Sequence, residues 1–114
     1  MDIDVWIKGL GSKFTYVAEE QGKIIGFGEL EANGHIGRFY CHKDFQRKGI
    51  GKKILEQLES KAKALGIEKL FTEASSTAKP FFGSQNFIVV KQQEVERRGQ
   101  KLINFIIEKK FNNY

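Results

Sequence analysis

The sequence predicts an α/β (α+β) fold: a mixed sheet with an antiparallel meander, then a β-loop-α-β unit, a short helix and a C-terminal hairpin. Three observations lead there. Short runs rich in β-branched and aromatic residues are separated by the turn pairs Gln21-Gly22 and Asn33-Gly34. The apolar period lengthens to a helical one after Gly49, and a last pair of apolar runs flanks Arg98-Gly99.

Taken in order, Met1 to Lys13 offers only a fragment, read as a helical end carrying Trp6 and broken by Gly9 and Gly11. Phe14 to Glu20 and Lys23 to Glu31 are two strands of a hairpin. His35 to His42 follows a tight turn and is most simply their antiparallel neighbour. Ile50, Ile54, Leu58, Ala62 and Leu65 recur at helical spacing, with Leu55 widening the stripe and Glu and Lys opposite it, so a long helix begins after Gly49. Gly66 supplies its stop, and Lys69 to Ala74 is a short strand made parallel to His35–His42 by the crossover. Ser75-Ser76-Thr77 can cap a second helix through about Gln85, with Pro80 in its first turn. Phe87 to Glu96 and Lys101 to Lys110 close the chain as a hairpin. No repeat or linker divides residues 1–114, which are expected to form a single domain.

Composition narrows the class. A chain of 114 residues, 40% hydrophobic and 12% aromatic with one Pro, can close one modest core and is neither disordered nor low in complexity. Cys41 is the only cysteine, so no intrachain disulfide forms, and the N-terminus lacks the pattern of a secretory signal; both lead to the expectation of a reducing cytoplasm. No apolar run approaches the roughly eighteen residues of a membrane span, so no membrane partner is expected. The net charge of +5 attracts anions without identifying one. Its placement is more telling, because Arg47, Lys48, Lys52 and Lys53 crowd one glycine-rich turn with Lys43 nearby, whereas Lys61, Lys63, Lys69, Lys109 and Lys110 are scattered among acidic residues.

That turn, Gln46-Arg47-Lys48-Gly49-Ile50-Gly51, joins a strand to the long helix. A helix start leaves about four backbone N–H groups without partners and carries roughly half a positive charge, and glycines let phosphate oxygens approach them. Lys48, Gly49, Ile50, Gly51 and Lys52 would donate. A Walker loop would end in Lys-Ser/Thr where Lys52-Lys53 stands, and a dinucleotide fingerprint would need glycine where Ile54 stands. On its own the pattern is matched equally by a tight turn ringed with solvated lysines.

With these residues the sequence resembles the GNAT N-acetyltransferases, whose cofactor loop reads Arg or Gln, two residues, Gly, one residue, Gly or Ala; Gln46, Gly49 and Gly51 match. The element order from about Phe14 to Phe111 also matches, as do Glu73-Ala74-Ser75 and Ala78-Lys79-Pro80-Phe81-Phe82, which look like the family's fifth strand and the helix after it. The resemblance implies a GNAT-like sheet in which His35–His42 splays from Lys69–Ala74. It further implies that backbone groups of Phe39 and Cys41 hold the pantetheine arm of acetyl-CoA, and that the N–H near Cys41 polarises the thioester carbonyl. Lys52 or Lys53 would help hold the ribose phosphate. The expected reaction is direct transfer of an acetyl group to a primary amine, with no metal.

Two departures bear on that expectation. Where many family members place a thiolate-protonating Tyr, this chain has Phe82, which leaves water, Ser75 or Tyr40 as proton sources. The family also begins with a strand and two helices that wall the acceptor site, whereas this chain reaches the second family strand by Phe14 and reads as an N-terminally shortened member. A bare strand edge and sheet face would follow, and a homodimer would cover them. Glu73, then Glu29, are the candidate general bases, each weighed against an ordinary ion-paired glutamate. Cys41 is better read as a small buried hydrophobe than as a nucleophile, and Phe81, Phe82 and Phe87 as core. His35 and His42, seven apart on one strand, fall on opposite faces and do not share a metal. A module that retains coenzyme A without turnover is the alternative, and a nucleic-acid binder using Arg47, Lys48, Lys52, Lys53, Arg97 and Arg98 ranks last for want of a motif. The acceptor amine, small molecule or protein, has no signature.

Overall fold

A computed structural model of the chain describes residues 4–10, 13–42 and 49–111. Seven strands and two helices run in the order β1 (Asp4–Leu10), β2 (Lys13–Glu20), β3 (Lys23–Glu31), β4 (Ile36–Cys41), α1 (Ile50–Ala64), β5 (Lys69–Ser75), α2 (Lys79–Ser84), β6 (Ile88–Arg97) and β7 (Gln100–Lys110). They form two sheets, an antiparallel β1-β2-β3-β4 and an antiparallel β5-β7-β6.

The turns form where the sequence places them, for a conformational reason. Gln21 and Gly22 have φ of 50° and 80°, and Arg98 and Gly99 have 53° and 76°, so both central residues of each hairpin are left-handed, the twist that suits flanking antiparallel strands. Helix α1 ends as predicted: Gly66 has φ 75°, its N–H donates to Lys63 O, and Ile67 N–H donates to Ala62 O, a Schellman stop. Ser75 Oγ accepts the N–H of Ala78 at 3.1 Å ahead of α2, and Pro80 lies in that helix's first turn.

The N-terminal segment corrects the sequence reading. Asp4–Leu10 is a strand, not a helical end, paired with β2 from Asp4↔Glu19 to Leu10↔Lys13. Its run Val5-Trp6-Ile7 carries too little length for the period to separate strand from helix, and pairing with β2 decides it. β1 leads into β2 through residues 11–12, and the outer edge of the sheet is β1.

The core lies between the β1–β4 sheet, α1 and the inner face of β5 and β7. Ile50, Ile54, Leu55, Leu58 and Ala62 of α1 are buried with Ile25, Leu30, Ile36, Leu70 and Ile107. α1 sits so close to the sheet that a Cβ on Gly26 would lie 3.0 Å from Ile54 Cδ1, and one on Gly28 would lie 2.6 Å from Ile54 Cγ2. Those two glycines are thus the floor on which the helix rests.

Candidate functional site

Among the described residues, strand pairing joins the two sheets only around His35 and Phe71. His35 and Phe71 form a single parallel bridge, Phe71 N–H donates to Gly34 O at 3.1 Å, and Thr72 Oγ1 donates to Ile36 O at 2.9 Å. Beyond this β4 pairs only with β3, and β5 only with β7. The crossover strands are therefore parallel, as expected, but they part into a fork with a closed end at His35 and an open end toward Cys41 and Ser75. A bulge helps the parting. Gly28 faces Phe39 and Leu30 faces Ile36, so two residues, Gly37 and Arg38, stand opposite one, Glu29, and a bulged strand bends and twists away from its course.

Backbone polarity in the fork follows from register. His42 N–H donates to Ile25 O at 2.7 Å, which makes Cys41 and Gly26 a widely spaced antiparallel pair. The N–H and C=O of Cys41 therefore point away from β3, and by alternation so do those of Phe39, into the opening between β4 and β5. The side chain of Phe39 turns toward the helices, with its ring 5.6 Å from Phe81 and 5.5 Å from Phe82.

The start of α1 meets the open end. Gly49 is its N-cap residue, left-handed at φ 81°; among the described residues nothing beyond its chain neighbours lies within 4 Å of a would-be Cβ there and no side chain caps the helix, and the first turn holds no acidic residue. The first helical bond is Lys53 N–H to Gly49 O, which leaves the N–H groups of Ile50, Gly51 and Lys52 ahead of the intrahelical ladder. Gly51 is needed for a second reason, since a Cβ there would lie 3.1 Å from Phe81 Cζ. Lys52 and Lys53 are exposed. The predicted cofactor-binding residues Gln46, Arg47 and Lys48 lie outside the described residues, as does Lys43.

Cys41, half-buried, lies between this turn and the fork. Burial pushes its thiol up, and a backbone hydrogen bond from Gly51 opposes this without reversing it. Its side chain thus stays a thiol at neutral pH, in keeping with a packing role.

Each candidate acid or base has a defined place. Ser75 Oγ is engaged by the N–H of Ala78. Glu29 is only 5% exposed, holds Arg38 Nη2 at 3.0 Å and lies 3.7 Å from Lys13 Nζ, on the sheet face away from α1. Glu73 stands on the fork's β5 side with its side chain 43% exposed and both carboxylate oxygens 3.0 Å from His35 Nε2. Phe82 is core, edge-on to Phe81 and Phe87. Tyr40 is exposed and stacks 5.5 Å from Phe27.

Sequence reasoning set His35 aside as a strand residue with no metal partner, and missed what it touches. Its Nδ1 contacts Glu31 Oε2 while Nε2 faces Glu73, and its ring lies 5.1 Å from Phe71. Burial alone would lower its pKa, but the hydrogen bonds and charges of Glu31 and Glu73 outweigh that, and the value is raised above 6.5. The Glu31 contact had a local signal, four residues back across an Asn-Gly turn; the Glu73 contact, 38 residues away, had none. Among the described residues no group of His, Cys, Asp and Glu is arranged to hold a metal, and no helix is long and apolar enough to cross a membrane.

Comparison with known proteins bears on this geometry. Residues 4–109 match the family model described as an acetyltransferase (GNAT) domain. Over 110 residues the chain is 30% identical to the uncharacterized N-acetyltransferase YafP of Escherichia coli strain K12, covering 96% of this chain and 69% of that one. The structure of a GCN5-related N-acetyltransferase from Rhodopseudomonas palustris superposes with a TM-score of 0.81 at 29% identity, covering 87% of this chain and 62% of the other. A GNAT family acetyltransferase from Elizabethkingia anophelis, solved with acetyl-CoA bound, shares the fold at a TM-score of 0.69 and 20% identity, covering 88% and 77%.

Proposed function

The chain belongs to the GNAT acetyltransferase family, and from that premise we propose that it transfers an acetyl group from acetyl-CoA to a primary amine by direct attack. The observation that carries this reading is the fork, where the backbone groups of Phe39 and Cys41 turn into the opening beside a helix start that no described side chain caps. These features suit an extended arm ending in a pyrophosphate: strand-like hydrogen bonding along β4, anion-binding N–H groups of Ile50 and Lys52 at one end beside Gly51, whose own N–H goes to the Cys41 thiol, and the charge of Lys52 and Lys53 next to them. Gly49, with no described residue beyond its chain neighbours within 4 Å of a would-be Cβ, leaves room for the phosphates.

Acetyl-CoA, when bound, supplies an acyl carbon activated by a good leaving group. The chain's own groups do the rest. The Cys41 N–H faces the opening and can hold negative charge that develops on a carbonyl oxygen there. Glu73, on the opposite strand, accepts the proton that the acceptor ammonium must lose before its nitrogen is nucleophilic, through one water. With Phe82 buried, the departing thiolate takes its proton from solvent. The outer face of β1–β4, where Trp6 and Tyr40 are exposed, and the exposed Ile88, Val89 and Val90 of the edge strand β6 favour a homodimer, in the cytoplasm. All 114 residues act as one domain in this reading.

A thermal melt with acetyl-CoA tests the cofactor site: at a hundred times Kd the ligand adds about 2.7 kcal/mol, several degrees for a chain of this size. Lys52→Glu is the better companion variant, because its side chain is exposed, whereas Gly51→Glu also strikes Phe81. A shift in the parent that shrinks in Lys52→Glu, with amine-dependent free-thiol release, supports the proposal; no shift at millimolar cofactor sinks it. The burial of Phe82 favours one second reading, a module that holds coenzyme A without turnover, which gives the shift and no thiol release.

A further inference from the structure

His35 is held more firmly than a solvated strand residue needs to be. The turn before it is fixed three ways: its own N–H donates to Asn33 Oδ1 at 3.0 Å, Glu31 N–H donates to its carbonyl at 2.8 Å, and Gly34 O accepts from Phe71 N–H at 3.1 Å. Gly34, at φ 94°, sits where a Cβ would lie 2.2 Å from Lys69 O, so the turn backbone is pressed directly against the start of β5. The ring lies against Phe71, and each of its two nitrogens meets a different carboxylate.

We propose that His35 is the positioning residue for proton removal from the acceptor amine, holding Glu73 at the closed end of the fork and joining it to Glu31 in one proton-sharing chain. This rests on the acetyltransferase reading above and goes beyond it in saying what prepares the base. The geometry argues for it in three ways. By continuation of the His35↔Phe71 bridge, Glu73 falls level with Gly37, at the bulge where the opening begins. Its side chain, 43% exposed, reaches water, while His35 and Glu31 behind it are more enclosed at 21% and 30%. Both Glu73 oxygens are equidistant from Nε2, so the imidazole fixes the carboxylate's direction without consuming its capacity to accept.

In the step itself, an N–H bond of the acceptor ammonium breaks and its proton passes through a water to Glu73, the electron pair staying on nitrogen. That pair forms the C–N bond, the C–S bond breaks, the second ammonium proton goes through solvent to the thiolate, and Glu73 returns its proton to water. The net products are the amide, the free thiol and one proton. Around the cluster the charged groups are Glu31 and Glu73 on the ring, Glu29 with Arg38 and Lys13 on the neighbouring strands, and Lys69 over Phe71.

The test is a double-mutant cycle in the full chain, read as kcat and KM for acetyl-CoA with the best acceptor from spermidine, kanamycin and a blocked lysine peptide. Glu73→Gln should lower kcat about a hundredfold, in the range of general-base catalysis. His35→Gln should lower it about tenfold in the parent and leave KM for acetyl-CoA and the cofactor melt shift within about twofold, yet cost nothing further in Glu73→Gln, because His35 acts through that residue. An equal cost in both backgrounds, or none in the parent, overturns the proposal. A cofactor-free measurement guards it: in the NMR titration His35 should keep its proton to higher pH than ordinary imidazole, and both Glu31→Gln and Glu73→Gln should lower that point. A His35 that titrates normally and ignores both variants overturns the proton-sharing chain. An absent acetyl-CoA melt shift in the parent would sink the acetyltransferase reading instead, and leave this titration to decide the cluster.

Discussion

The two faces of the β1–β4 sheet are built on opposite principles. Toward α1 the sheet is thin: Gly26 and Gly28 carry no side chain where Ile50, Ile54 and Leu58 press, and Tyr16, Ala18, Leu30 and Ile36 fill in around them. On the other face a row of large side chains crosses all four strands in register, Trp6, Val17, Phe27 and Tyr40, with Trp6 40% and Tyr40 44% exposed. Beside this row Glu29 holds Arg38, whose guanidinium also lies 5.5 Å from the Phe27 ring, and Trp6 Nε1 donates to Glu19. The covered face is held by shape and the open face by charge and ring contacts, so the first should carry stability and the second should be free to carry recognition.

The comparison breaks first if Leu58→Ala is cheap. Leu58 is fully buried in α1 against Gly28, and the variant should lose about 3 kcal/mol in urea unfolding, within the usual range for leucine truncated in a core. Gly28→Val is the converse probe. Its Cβ alone would stand 2.6 Å from Ile54 Cγ2 and 3.2 Å from Leu58 Cδ1, so overpacking should cost about 1–3 kcal/mol; a neutral result would mean α1 can lift off the sheet.

These two positions also show how much was legible. The helix stripe, the Gly66 stop, the hairpin turns and β3 follow from local rules, because each is decided by residues within one turn or one strand. Glycines 26 and 28, by contrast, lie within a run otherwise rich in apolar residues and read as weak points of a strand until the helix above them is known. The fork was reached only through resemblance: nothing in the letters of β4 says that its pairing with β5 stops after one bridge. Trp6 was misplaced because a seven-residue strand shows too little of its period, and Glu29 with Arg38 and His35 with Glu73 could not be paired at all, since strand register alone brings them together. Long-range electrostatics is what sequence hides best, and here it sits on the open face.

Arg38→Ala sharpens that half of the comparison. It leaves a nearly buried Glu29 carboxylate with only the looser Lys13 contact at 3.7 Å, but the Arg38 side chain is 68% exposed, so the loss should be about 1 kcal/mol by chemical denaturation. Replacing Glu29 and Arg38 together with Gln and Ala should recover part of it, because the buried carboxylate that lost its close partner is then gone. A loss as large as that of Leu58→Ala would show that charge, too, is structural on this face.

The smallest effect expected is the pH dependence of stability that His35 confers. Its pKa in the fold is raised above the ordinary 6.5; burial acts against the charged form, but Glu31 and Glu73 more than offset it. A group whose folded value is raised contributes stability that is complete below its unfolded value and is lost as pH climbs through the folded one. The His35 contribution to the melting temperature should therefore be complete below pH 6.5 and decline on the alkaline side, a decline that His35→Gln removes by lowering the acid side of the curve while leaving the alkaline side nearly in place. Differential scanning calorimetry across pH 6 to 9 would show it. If His35→Gln melts parallel to the parent over that whole window, the carboxylates do not hold an imidazolium at the closed end of the fork, and the open face has one fewer charge to offer an approaching amine.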